Sequence, residues 1–118
     1  MKIILTILFA ILLTSCSGNK MKPTDFKDQK PRLIIEDYLS GNVKAWGILQ
    51  NRSGKVTRQF SADLNGKWDG NILILDEKFN WSDGEIQKRQ WKIKKIDEHN
   101  YEGTAGDVVG TAKGYSYG

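Results

Sequence analysis

Hydrophobic and polar positions follow two different rhythms along this chain. Residues 3–13 (IILTILFAILL) are apolar apart from Thr6, with one lysine, Lys2, ahead of them. From residue 43 onward apolar and polar residues alternate with period two, the mark of strands buried on one face. Residues 43–50 (VKAWGILQ) run into the turn cluster Asn51, Arg52, Ser53, Gly54. In residues 55–64 (KVTRQFSADL), Val56, Phe60, Ala62 and Leu64 share a face. Asn65-Gly66 is then expected to form a type I′ hairpin turn, because both residues tolerate positive φ. Residues 72–81 (ILILDEKFNW), 85–96 (EIQKRQWKIKKI), 101–105 and 108–115 bring the count to about six strands. Residues 33–39 (LIIEDYL) fit a short strand or one helical turn, and no helical period follows residue 40. The predicted fold class is all-β: an antiparallel meander that closes towards a barrel to protect its edges, preceded by a signal-peptide helix and a flexible tether.

The register of one hairpin can be argued from side-chain parity. A two-residue loop at Asp83-Gly84 would put Phe79 across from Lys88 and turn Trp91 and Ile93 away from the apolar face. A three-residue loop, Ser82-Asp83-Gly84 with Gly84 left-handed, instead pairs Leu73 with Ile93, Leu75 with Trp91 and Glu77 with Arg89. The second register keeps the apolar face intact. It also sets an ion pair on that face, between Phe79 and Trp91.

The N-terminal run has the layout of a secretory signal peptide: a basic residue, a short apolar core, then small residues. The core is too short for a membrane span, which takes about 20 apolar residues. Cys16, the only cysteine, sits at the expected cleavage point after Leu13-Thr14-Ser15. The arrangement resembles the bacterial lipobox, in which that cysteine is lipidated. Ser17 stands where an inner-membrane retention signal would need Asp, so the expected address in a Gram-negative cell is the outer membrane, facing the periplasm. The chain divides into a signal peptide (1–15), a lipidated N-terminus and tether (16–32) and a β domain (33–118). A tether of this length holds the domain on the order of 20 Å from the bilayer.

Charge refines this little. The 118 residues carry a formal net charge of +4, with signs alternating along the chain and no long single-sign block, so no nucleic-acid footprint is expected. A single cysteine leaves no disulfide to form.

The chemistry-bearing residues are few. Glu77 and Arg89, flanked by Phe79 and Trp91, form the sharpest constellation. They are candidates for a polar anchor holding a ligand headgroup in an apolar, tryptophan-lined cup. They also fit a cross-strand salt bridge that only sets register. Asp107, Arg52 and Arg58 could lie near the same face. His99 is the sole histidine, so neither a zinc site nor a Cys/His nucleophile pair is expected, and no cofactor. Asp76 and Glu77 are adjacent on a strand and point to opposite faces, a poor acid–base pair. Gly103, Gly106, Gly110 and Gly114 are expected at bulges and bends.

Several runs resemble one family of bacterial lipoproteins, the domain-of-unknown-function 3833 group: MKPTDF (21–26), AWGILQNRSG (45–54), RQF (58–60), LDEKFNWSDGE (75–85), RQW (89–91) and YEGTAGDVVGTAKG (101–114). The resemblance implies an outer-membrane lipoprotein with a lipocalin-like β-barrel. It brings no established reaction, ligand or catalytic residue. It also implies strands beyond Gly118, and the final AKGYSYG stops within an alternating pattern, so a truncated chain and an incomplete barrel are expected.

Three functions remain open at this stage. The first is a non-enzymatic lipid-anchored barrel that binds a small amphipathic or lipid-like molecule. The second is an interaction module that docks another envelope protein. The third, least supported by the residues, is an enzyme acting on envelope lipids.

Overall fold

The computed structural model describes Gly18 and residues 20–118. The expected signal peptide and Cys16 lie outside the described residues. The expected all-β meander is present. Strands β1 (Gly41–Gln50), β2 (Val56–Trp68), β3 (Ile72–Trp81), β4 (Ile86–Lys95), β5 (Asn100–Ala105) and β6 (Ala112–Tyr115) form one sheet in sequence order, each antiparallel to the next. The sheet curls into a half-barrel with a concave and a convex face.

Side-chain parity decides which residues enter the concavity. Val43, Leu64, Glu77 and Arg89 lie in one cross-sheet row, and Gly66, Leu75, Trp91 and Ala105 in the next. Leu73 is the most deeply buried side chain among the described residues, and Ala62, Leu75 and Tyr101 are buried with it. The β3–β4 hairpin adopts the three-residue loop: the Trp81 amide donates to the Glu85 carbonyl at 2.9 Å, and Gly84 has φ +89°. Leu73 pairs with Ile93, Leu75 with Trp91 and Glu77 with Arg89.

The Asn65-Gly66 turn is not formed. β2 runs straight through both residues, with Asn65 opposite Asn42 and Asp76. The chain reverses three residues later, where the Asp69 carboxylate accepts the amides of Asn71 (2.8 Å) and Ile72 (2.7 Å) and Gly70 takes φ +97°. Gly66 is required for a different reason. A Cβ there would lie 1.8 Å from the Leu39 carbonyl oxygen. The last strand is also shorter than its pattern predicts, because Gly110 turns with φ +73° and Val109 is fully exposed.

Leu39 follows a single helical turn, α1 (Ile35–Tyr38), one of the two conformations the LIIEDYL run allows. Glu36 and Asp37 sit in its first turn, where the helix dipole favours negative charge, and Gly41 with φ +78° redirects the chain into β1. α1 lies across one end of the concave face. Residues just before it are clasped to the C-terminal segment. The Leu33 amide donates to the Gly118 carbonyl (2.5 Å), Ser116 Oγ donates to the Leu33 carbonyl (3.0 Å), and Arg32 pairs with Glu98. Among the described residues no helix is long and apolar enough to cross a membrane.

Candidate functional site

The concave face changes character from one end to the other. At the β3–β4 hairpin end stands an aromatic cluster: Phe60 meets Phe79 at 5.3 Å and Trp81 at 5.1 Å between ring centroids, both edge-on. Gly47, opposite Phe60 on β1, leaves the space that this ring fills. Arg58 stacks over Trp81 at 3.9 Å and pairs with Asp83 (2.8 Å) and Glu85 (2.7 Å). Its hydrogen bond holds the Asp83 carboxyl below the ordinary carboxylate range.

Glu77 and Arg89 occupy the middle. Their strands place them directly opposite each other, and Arg89 Nε donates to Glu77 Oε2 at 2.7 Å. The Glu77 side chain is 10 % exposed and that of Arg89 26 %. The guanidinium sits 5.3 Å from the Phe79 ring and 5.4 Å from the Trp91 ring, so the four expected residues do converge. Asp107 approaches Arg89 Nη1 at 3.6 Å from the loop after β5, joining the pair as a looser third member. Arg58 shares the face but not the cluster, and Arg52 is exposed in the β1–β2 turn.

Beyond the pair the lining is mostly apolar, with Lys113 and Ser116 as its other polar members. A cavity of about 320 Å³ opens between Leu75, Trp91, Ile93, Tyr101, Ala112 and Ile35 of α1. Gly103 permits it locally, since a Cβ there would press on the Trp91 ring at 3.2 Å. This glycine serves a close approach rather than the expected bulge.

A second buried constellation closes the far end, and the sequence did not reveal it. Glu36 of α1 is 6 % exposed; its carboxylate accepts from Tyr101 Oη at 2.9 Å and pairs with Lys95. Burial, the largest single influence, raises the Glu36 carboxyl, but the hydrogen bonds from Lys95, the Glu36 backbone and Tyr101 and the Lys95 charge together outweigh it, leaving the group below its ordinary value. Burial and the adjacent carboxylate push Tyr101 up to about 12. The one available signal was a glutamate set within the apolar run LIIEDYL.

His99 does not reach the concavity. It stacks on Tyr117 at 4.2 Å, its Nδ1 2.9 Å from the Ser116 carbonyl oxygen. Among the described residues no cluster of His, Cys, Asp and Glu could hold a metal ion.

The fold and this face define a curled, six-stranded β domain with an apolar groove lying between the Arg89–Glu77 and Lys95–Glu36 ion pairs. Residues 10–118 match the family described as Protein of unknown function (DUF3833), and the chain belongs to that family. No curated protein and no solved structure matches it.

Proposed function

We propose that the chain is a non-enzymatic, lipid-anchored envelope protein that holds a small amphipathic or lipid-like molecule along its concave face. Lipidation falls to Cys16, and the address is the periplasmic side of the outer membrane. The observation that carries the reading is the cavity itself: an open pocket lined by Leu75, Trp91 and Ile93 that ends at Glu77, the partner of Arg89. An unoccupied face of this kind leaves part of the Trp91 and Ile93 surface in water at about 25 cal/mol per Å², a cost that an acyl chain would remove. Arg89 has a free edge for a carboxylate or phosphate, with Nε committed to Glu77 and only the 3.6 Å approach of Asp107 at Nη1. An anionic headgroup would displace Asp107, which is half exposed, sooner than Glu77.

The test is mass spectrometry of lipids extracted from the full chain purified out of its native envelope. One amphipathic species should be enriched over the bulk lipid extract, retained with Arg89→Lys and lost with Arg89→Ala. An extract matching the bulk lipids in composition overturns the reading.

A second reading rests on its own observation. β1 is ten residues long, pairs among the described residues with β2 alone, and carries exposed Trp46, Ile48 and Leu49. A strand from an envelope protein could extend the sheet there. One dominant crosslink from position 48, with no enriched lipid, would favour it.

A further inference from the structure

The alternation of charges along the sequence disappears once the sheet forms. Seven lysines, Lys44, Lys67, Lys78, Lys88, Lys92, Lys94 and Lys113, point to the convex face, and all are exposed. Only Asp63, Asp76 and Glu102 oppose them from the same strands. Lys44 pairs with Asp63 at 2.9 Å; among the described residues the other six make no ion pair, although Asp63 also lies across from Lys78 and Glu102 across from Lys94 and Lys113. Lys78 stands directly across from Lys88, a like-charge pairing that destabilises a sheet and that Asp63, on the other side of Lys78, offsets only in part while it is paired with Lys44. The hydrophobic edge of this face is equally unusual. Trp46 is 75 % exposed, Ile48 lies two residues along the same strand, and Ile86 ends the cross-sheet row that begins at Trp46.

We propose that the convex face docks on an anionic phospholipid bilayer, the lysines on headgroup phosphates and Trp46 with Ile48 in the interfacial layer. Residue type favours a bilayer over an acidic protein. The strand arginines, Arg58 and Arg89, both point inward, and every outward cation on the strands is lysine. Arginine forks suit fixed, bidentate partners; lysines on flexible stems suit mobile phosphates with no preset geometry. Tryptophan beside lysine is the composition that membrane interfaces select. Each lysine near an anionic surface is worth about fivefold in partitioning. Docking this way leaves the groove facing away from the bilayer. It does not depend on what the groove holds.

The test uses the full chain with vesicles of phosphatidylcholine, with or without phosphatidylglycerol, whose acyl chains are brominated. Trp46 is the one tryptophan on the convex face, since Trp68, Trp81 and Trp91 point inward. The difference between wild type and Trp46→Phe therefore isolates its emission. Quenching of that emission should be severalfold stronger with phosphatidylglycerol. The excess should vanish at about 1 M salt, where the Debye length falls to about 3 Å. It should also vanish in the variant carrying Lys78→Gln, Lys88→Gln, Lys92→Gln and Lys94→Gln. Should that variant lose its β-sheet circular dichroism, the salt titration of the wild type decides alone. Equal quenching in both vesicles overturns the proposal. So does a lysine-dependent complex with an acidic protein or a nucleic acid without quenching.

Discussion

Replacing Gly66 with alanine probes how α1 is held on the sheet. The new Cβ would lie 1.8 Å from the Leu39 carbonyl oxygen and 3.3 Å from Leu73 Cδ1. The first distance is more than 1 Å shorter than real Cβ contacts reach, and the obstacle is backbone, which cannot swing aside. Leu39 must retreat, carrying with it the end of α1. That retreat draws Glu36 off Tyr101 Oη and Lys95, leaving a buried carboxylate short of partners. Overpacking costs about 1–3 kcal/mol and an unpaired buried polar group about 1–3 kcal/mol more, so the expected loss is about 2–5 kcal/mol. For a small domain with about 5–15 kcal/mol of stability this is a large fraction. In urea denaturation followed by circular dichroism, the midpoint should fall by about 1 M or more with an unchanged slope. Gly106→Ala is the control, since nothing lies within 4 Å of its Cβ position and its φ is not left-handed. A Gly66→Ala midpoint within about 0.3 M of wild type would refute the close-approach account.

Other expectations concern the charged groups. Tyr101, pushed up to about 12, should give a late ionisation step in an absorbance titration that disappears in Tyr101→Phe. Its folded pKa exceeds the ordinary 10, so its stabilisation is complete below pH 10 and is lost as pH rises from 10 towards 12. Tyr101→Phe should abolish that loss at a cost of about 1 kcal/mol at neutral pH. Arg89→Met should cost about 2 kcal/mol by stranding Glu77, whereas adding Glu77→Leu should recover most of it in a double-mutant cycle; equal losses in both variants would argue against the pairing. Asp69 and Asp97 are held low chiefly by backbone amides, and Asp83 by Arg58. Their stabilisation is present above the ordinary carboxylate pKa and is lost as pH falls through and below 4, which Asp97→Asn should blunt in an acid-unfolding curve.

What the sequence made legible depended on how local each determinant is. The β3–β4 register could be read because Gly84 and the parity of Leu73, Leu75, Trp91 and Ile93 all lie within one hairpin. The Glu77–Arg89 pair follows from that register alone. Asn65-Gly66 misled because its glycine answers to Leu39, a residue distant in sequence, and the turn chemistry passed instead to Asp69 and Gly70. Glu36, Lys95 and Tyr101 meet across separations of 59 and 65 residues, which no periodicity encodes. The lysine-rich convex face was partly visible: Lys88, Lys92 and Lys94 share parity in QKRQWKIKK. Its extent required the neighbouring strands to be placed in register.

The clasp at Leu33 carries a mechanical consequence. If residues 16–32 tie the domain to a membrane, any pull on them enters the fold at Arg32 and Leu33. Those residues are fastened to Glu98, Ser116 and Gly118, not to β1. Tension is therefore diverted past α1 into the turn before β5 and the segment after β6. The groove between them, with Trp91 and Ile93 as its floor, is shielded from the load on its own leash.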